Sequence, residues 1–365
     1  MELFHYGEKD FQESTKPWNA GENRELSAFD KCLCAGWDRA VEAGHFRYKL
    51  NIDQTKVIGK LGYVAQLNEK RAQERRKPDN ICSVNQPFNP ATFNFGKIPA
   101  SEVLFQLGDG CVNDLNDKNQ CGDGTNKEVM KVRNLVVINV SPLEYGHVLL
   151  VPDVDACNPQ ILTQSSVQLA LEMLLLSKHS GFRVGFNSLC AYASVNHLHL
   201  HAYYLNHELF IEHTPVNNLK GPLYELTSMP GHGYALQLHG TDHVTLSRWV
   251  FQITDYFQKK EVAHNMFMTR GSVFGDPQGS TNRTVRVFIW PRKKFIGTHM
   301  WLKDEAAFNV ALVELAGHLP IKVESLFNEL TEESIESTIR DHLLQSTEYE
   351  TIKHDLVSMF SQQGS

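Results

Sequence analysis

The stretch Ser194-Val195-Asn196-His197-Leu198-His199-Leu200-His201-Ala202-Tyr203-Tyr204 constrains this chain more than any other. Side chains along a strand alternate with a period of two. The spacing therefore predicts His197, His199 and His201 on one face, and Leu198, Leu200 and Ala202 on the other, against a core. Three adjacent imidazoles cannot all be buried and protonated without opposing charge. Their face is expected to line a solvated cleft that holds an anion or a metal.

Two chemistries fit such a row. In one, an imidazole attacks phosphorus and becomes a covalent nucleotidyl intermediate, which splits one displacement into two. The attacking nitrogen must be neutral, and the other ring N–H must be held by an acceptor that fixes the tautomer. Neighbouring imidazoles and a hydroxyl then donate to the phosphoryl oxygens. In the other, two of the histidines ligate zinc, with a third ligand from elsewhere in the chain.

Composition narrows the setting. The chain carries 17 histidines in 365 residues, and 35 Lys and Arg against 42 Asp and Glu give a formal charge of −7. A general nucleic-acid surface would carry a basic excess, so no polymer of that kind is an expected partner. The opening MELFHYGEKDFQES has neither a basic n-region nor an apolar h-region, and no run approaches the ~18 apolar residues of a membrane span. Seven cysteines stand at 32, 34, 82, 111, 121, 157 and 190, an odd number without regular spacing. A reduced, cytoplasmic protein without membrane contact is the expectation.

Along the chain, strands are predicted over 102–106, 134–140, 147–152, 182–187 and 197–205, with a Gly-, Asn- and Asp-rich surface loop over 108–128. A helix capped by Ser165 or Ser166 follows the third strand. The second half opens on an amphipathic helix marked by Leu246, Trp249, Val250, Ile253, Tyr256 and Phe257. Strands near 265–269 and 284–290 and helices near 304–318 and 331–346 complete it. Trp249, Tyr256 and Trp290 read as core. Antiparallel strands interrupted by helices mean an α+β fold. The expected division is an N-terminal extension over 1–80 packing on the core, a catalytic half over 81–215 and a C-terminal α+β half over 216–365. The basic cluster Lys70-Arg71 and Arg75-Arg76-Lys77 reads as a solvated loop. His147, His264 and His318 fall in structural contexts: a turn, a strand entry and a helix end.

The His-x-His-x-His pattern resembles the histidine-triad superfamily of nucleotidyl transferases and hydrolases. Phe95-Gly96-Lys97-Ile98 is similar to the family's opening segment, and Asn139-Val140-Ser141-Pro142 with Gly146-His147 to its Asp-φ-Ser-Pro…Gly-His turn. Longer blocks resemble the GDP-hexose phosphorylase branch: Phe93-Asn94-Phe95-Gly96-Lys97-Ile98, Val184-Gly185-Phe186-Asn187-Ser188-Leu189, Asn196-His197-Leu198-His199-Leu200-His201 and Ala311-Leu312-Val313-Glu314-Leu315-Ala316-Gly317-His318-Leu319-Pro320. The match covers nearly the whole chain.

The resemblance implies an antiparallel half-barrel packed with helices and a second, related half. It implies phosphorolysis of GDP-D-glucose by inorganic phosphate, through a guanylylated His199 and without metal or other cofactor. His197 would order the strand or fix the tautomer of His199, while His201 and Ser194 would donate to phosphate oxygens. Phe93, Phe95, Lys97 and Ile98 would surround the base. Asn139 takes the place of the ribose-binding aspartate, and Asn187 matches the asparagine upstream of the triad. Ala193 stands where many members carry glutamine. A hydrolase releasing GMP and a non-catalytic nucleotide-binding module are the alternatives. Lys97, Arg183, Arg270 and Arg286 are the cations offered for the phosphates.

Overall fold

The computed structural model describes residues 2–13, 25–52, 54–76, 78–108, 132–227, 230–277, 280–297 and 306–362. The loop expected over 108–128 lies outside these residues except for Gly108. The N-terminal part supplies β1 (Leu3–Phe4), α1 (Ala28–Glu42), β2 (Thr55–Ile58), β3 (Tyr63–Leu67) and the short α2 (Glu69–Glu74). Next come β4 (Val103–Leu107), β5 (Asn134–Ile138), β6 (Val148–Val151), α3 (Gln164–Leu176), β7 (Phe182–Asn187) and β8 (Leu200–Tyr204). The second half repeats that order with β9 (Val216–Lys220), β10 (Leu223–Leu226), β11 (Tyr234–Gln237), α4 (His243–Lys259), β12 (Ala263–Ser272) and β13 (Arg283–Arg292). The chain ends with α5 (Leu312–Leu315), β14 (His318–Ile321), α6 (Glu324–Glu329), α7 (Glu332–Arg340) and α8 (Ser346–Ser361).

Eleven strands form one open sheet in the order β1-β4-β5-β6-β8-β7-β12-β13-β11-β10-β9. Each half is a three-stranded meander, a helix and two further strands, and the last strand inserts beside the meander. The halves join through antiparallel β7 and β12, with Gly185 opposite Phe267. The α+β class and the related second half are thus realised as a topological duplication, without closure into a barrel.

The two faces differ. Leu198, Leu200, Ala202 and Val184 point into a core beneath α1, α3, α4 and α8. On the opposite face of the second half, Phe267, Phe288 and Trp290 are covered by β3, β14 and α5–α7. In the first half that same face carries Leu149, His201 and Gly185 in register, and it is left as the floor of a cleft.

Local chemistry explains the elements. α3 is capped by Thr163 rather than by the serines expected; Ser166 sits at the third position and completes a capping box. Asp242 caps α4 through the Thr245 N–H. Trp290 is fully buried, while Trp249 and Tyr256 are only partly so. Of the helix expected over 304–318, four residues form α5, and positive-φ Gly317 leads into β14. The helix expected over 331–346 divides into α7 and α8 at residues 341–345. Gly185 permits a close approach, because a Cβ there would stand 2.6 Å from Leu312 and 2.8 Å from the Met266 carbonyl. α5 is thereby seated directly on the sheet.

Candidate active site

The cleft lies between the histidine face, the segment Phe93–Ile98, the helix α2 and the segment from Asn309 to Lys322. Its apolar lining includes Val137, Leu149, Val195 and Phe95, which pack on Leu135, Val151 and Val154 behind them.

The strand of the histidines is shorter than expected, because β8 begins only at Leu200. Before it, the side chain of Gln160 replaces a neighbouring strand. Its Oε1 accepts from the His199 N–H at 2.9 Å and its Nε2 donates to the His199 carbonyl at 3.0 Å. The same Nε2 also donates to the Asn187 carbonyl at 3.0 Å. Gln160 is fully buried and welds β7 to the triad backbone. No motif in the sequence signalled it.

The three imidazoles have separate environments. His199 Nδ1 lies 2.7 Å from the His197 carbonyl. A carbonyl only accepts, so Nδ1 holds the proton and Nε2 keeps its lone pair. His197 Nδ1 accepts from the Phe95 N–H at 3.0 Å, which places its own proton on Nε2. His197 does not line the cleft; it anchors the turn that carries Phe95. His201 Nδ1 lies 3.0 Å from His147 Nε2. His147 Nδ1 accepts from the Leu143 N–H at 2.9 Å, so its Nε2–H donates to His201, whose Nε2–H is left as a donor. His147, set aside from the sequence as a turn residue, thus sets the tautomer of His201.

The expected solvated face is solvated only in part: His197 and His199 are buried to 0% and 3% exposure, while His201 is half-buried. Burial pushes both imidazoles down to about 4 and takes His147 and His201 well below the ordinary histidine range. All four are neutral at pH 7. The condition that buried imidazoles not be protonated is met by neutrality, not by solvent.

Asn187 Oδ1 accepts from Asn265 Nδ2 at 2.6 Å, and the same Nδ2 donates to the Ala191 carbonyl at 2.9 Å. Asn265 Oδ1 in turn accepts from Arg292 Nη1 at 2.6 Å. This relay from β12 and β13 leaves the Asn187 amide N–H groups for the cleft, which Asn187 lines together with Ser194, His199 and His201. Asn139 also lines it; its Oδ1 accepts from the Ser141 N–H at 3.0 Å, and its Nδ2 stands 3.2 Å from His147 Nε2. Phe93, Phe95 and Ile98 form the apolar wall.

The proposed cations sit elsewhere. Lys97 Nζ donates to the carbonyls of Pro90, Ala91 and Thr92 and does not line the cleft. Arg183 is buried against Glu212, Arg270 against the carbonyls of Gln12, Leu174 and Ser177, and Arg286 against those of Ile211 and Thr214. The positive lining comes instead from Arg71, Arg75, Arg76 and Lys322. Of the cluster read as a solvated loop, Arg71, Arg75 and Arg76 form a cleft wall, Lys70 is exposed, and Lys77 lies outside the described residues. Asn68 caps α2 by accepting from the Arg71 N–H, and its Nδ2 reaches the Pro142 and Leu143 carbonyls. Arg71 Nη1 donates to the Ser141 carbonyl. The Arg76 guanidinium lies over the Phe93 ring, 3.0 Å from its centroid. Glu314 faces these charges across the cleft, and burial raises its carboxyl to about 7.

Among the described residues, no helix is long and apolar enough to cross a membrane. Comparison with known proteins gives consistent relationships. The chain is 43% identical over 371 residues to GDP-D-glucose phosphorylase 1 of Homo sapiens, covering 99% of this chain and 92% of that one. It is 41% identical to the Xenopus laevis protein of the same name, covering 98% and 96%. GDP-L-galactose phosphorylase 2 of Arabidopsis thaliana is 31% identical, over 86% of this chain and 73% of that one. In fold, the chain is similar to the yeast Ap4A phosphorylase Apa2 solved with Ap4A, with a TM-score of 0.55 at 13% identity, covering 87% of this chain and 97% of that one. Models of the GDPGP1-like N-terminal and C-terminal domains match residues 28–203 and 209–363, and the chain belongs to the GDPGP1-like family.

Proposed function

We propose that this chain is a GDP-hexose phosphorylase that converts GDP-D-glucose and inorganic phosphate to GDP and D-glucose 1-phosphate, with His199 as the nucleophile. The observation that carries the mechanism is the tautomer of His199. Its Nδ1–H is held by the His197 carbonyl, so a neutral Nε2 lone pair is available without prior loss of a proton. The identity to named GDP-D-glucose phosphorylases supports the substrate.

In the first displacement Nε2 attacks the α-phosphorus, the bond to the bridging oxygen breaks, and glucose 1-phosphate leaves with that electron pair. The leaving group is already a phosphate, so positioning and charge neutralisation carry most of the rate. His201 Nε2–H, the Ser194 hydroxyl and the Asn187 amide donate to the non-bridging oxygens. His197 is a positioning residue. Phe93, Phe95 and Ile98 hold the base, Asn139 meets the ribose, and Lys97 stiffens the loop that carries the phenylalanines. In the second displacement phosphate takes the guanylyl group and GDP departs. The scheme uses no metal or organic cofactor.

We assign residues 1–80 to an extension packed on the core, 81–215 to the catalytic half and 216–365 to the second half, and place the reaction in the cytoplasm. Incubation with GDP-glucose in the absence of phosphate is expected to leave a GMP adduct on His199, and added phosphate is expected to release it as GDP. Release as GMP at an unchanged rate would instead identify a hydrolase.

A further inference from the structure

We propose that Arg71 and Arg75 of the N-terminal extension, together with Lys322 after β14, form the site that holds the acceptor phosphate. The inference rests on the phosphorylase reading and adds what distinguishes phosphate from water.

Two pieces of backbone, far apart in the chain, deliver these cations to one wall. Parallel pairing of β3 with β14 sets Leu67 opposite Ile321, and the Asn68 N–H donates to the Ile321 carbonyl at 2.9 Å. The start of α2 and Lys322 are thereby neighbours although some 250 residues separate them. Asn68 then ties α2 to the Pro142-Leu143 turn, and Arg71 is tied to Ser141, two residues beyond Asn139. Lys322 Nζ is held by Asn309 Oδ1 at 2.8 Å. Arg71, Arg75 and Lys322 line the same cleft as His199, with Asn68, Ser141 and Asn309 beside them.

The electrostatics of this wall favour an anion. Arg71 acts on His201 and on Arg75, and Arg75 acts with Tyr192 and Glu314. Burial and the neighbouring Arg71 bring Arg75 down to about 10. Glu314 is the carboxylate facing them, and its oxygen already accepts from the Ala311 N–H at 2.9 Å. With a carboxyl raised to about 7 it is only partly ionised at neutral pH. A phosphate dianion suits a wall that carries two guanidiniums and an ammonium, because guanidinium forks match its oxygens. The apolar wall of Phe93, Phe95 and Ile98 offers no such match, so the base takes that wall and the acceptor the cationic one.

The chemistry balances without a further reactant. An oxygen lone pair of the bound phosphate forms a P–O bond to the guanylyl phosphorus as the P–Nε2 bond breaks. That electron pair returns to Nε2, and Nδ1 keeps its proton on the His197 carbonyl. The departing glucose 1-phosphate presents the same phosphate group, so the wall serves it in the first displacement.

The test measures both half-reactions in Arg75→Gln, Arg75→Lys and Lys322→Gln variants of the full chain. Far-UV circular dichroism reports whether a variant is folded, and adduct formation by the wild-type protein from GDP-glucose without phosphate reports whether the phosphorylase reading holds. In adduct-forming Arg75→Gln, KM for inorganic phosphate is expected to rise ~10-fold or more, the loss of one charge-assisted contact. KM for glucose 1-phosphate in the reverse direction is expected to rise as well, a larger share of turnover is expected to end as GMP, and Arg75→Lys is expected to recover part of the loss. An unchanged KM for phosphate in both Arg75→Gln and Lys322→Gln, or a rise confined to glucose 1-phosphate, would overturn the proposal. Failure of the wild-type protein to form the adduct would instead remove the phosphorylase reading beneath it.

Discussion

The imidazole of His199 donates its Nδ1 proton to the main-chain carbonyl of His197 at 2.7 Å, so the residue two positions upstream fixes which nitrogen can attack. An alternating pair at this spacing supplies both nucleophile and tautomer from one short segment. His199→Ala is expected to abolish adduct formation and phosphorolysis while leaving far-UV circular dichroism unchanged. Burial pushes the ring down to about 4, so Nε2 stays unprotonated well below neutrality. The pH profile of kcat/KM should therefore show no His199 limb near 6.5. An acid limb near 7 would belong to Glu314, raised to about 7 by burial, and should vanish in Glu314→Gln. A limb near 6.5 that persists in that variant would contradict the buried, neutral nucleophile.

Gln160 holds three backbone groups that no strand reaches: the N–H and C=O of His199 and the C=O of Asn187. Replacing it with leucine leaves them buried and unpaired, each worth roughly 1–3 kcal/mol. Gln160→Leu is expected to lower the urea midpoint markedly and to reduce kcat more than KM, because the His199 ring moves with its backbone. Glu at this position can accept but not donate, and should recover only the His199 N–H contact. Equal stability and kcat in wild type and Gln160→Leu would show that the backbone closes without the amide.

Gln160 also marks where sequence reading stops. Alternation placed the histidines and the opposing leucines on the correct faces, since the period of a strand is a local property. It could not show that a side chain from the segment before α3 substitutes for a strand at His199, which delays β8 to Leu200. Charge was equally uninformative about direction. Arg71, Arg75 and Arg76 look solvated in a polar stretch, and only the β3–β14 pairing, a contact between distant parts of the chain, turns them over the cleft. Arg183, Arg270 and Arg286 show the converse, each being consumed by buried carbonyls or Glu212. His147 was visible as a motif residue, but its hydrogen bond to His201 depends on the register of β6 against β8.

Five buried imidazoles and the half-buried His201 make stability depend on pH in a definite direction. His147, His197, His199, His201, His264 and His318 are all depressed by burial, three of them to about 4 and His318 to about 3. In the unfolded chain each titrates near its ordinary value of about 6.5. Between the folded and unfolded values the unfolded state binds more protons, so stability rises with pH there. The full stability is present above about pH 7 and is lost as pH falls through 6.5 toward 4. Each group contributes a slope of up to ~1.4 kcal/mol per pH unit in that window. Urea unfolding at pH 7.5, 6.0 and 5.0 should show a steep fall in midpoint, and a constant midpoint would be incompatible with these histidines being buried and neutral.

The relay Arg292–Asn265–Asn187 gives the second half a direct hold on the chemistry of the first. Arg292 can only donate, so Asn265 must present its oxygen to it and its nitrogen to Asn187, and Asn187 must then turn its own nitrogen to the cleft. Asn265→Asp keeps the shape and still accepts from Arg292, but a carboxylate cannot donate to Asn187 Oδ1. Asn187 is then expected to rotate its amide, giving its N–H to Asp and facing an oxygen toward the phosphate. The loss of one donor at a developing phosphoryl charge commonly lowers kcat by ~100-fold or more. The substitution should do so with little change in KM for the nucleotide sugar, whose base contacts lie at another wall, while loss of the contact to the Ala191 carbonyl lowers the urea midpoint. Asn187→Ala should lower kcat similarly, and Asn265→Asp added to it should cost little more, because both remove the same donor. Independent, multiplicative losses would show that Asn265 acts on the reaction by a route other than Asn187.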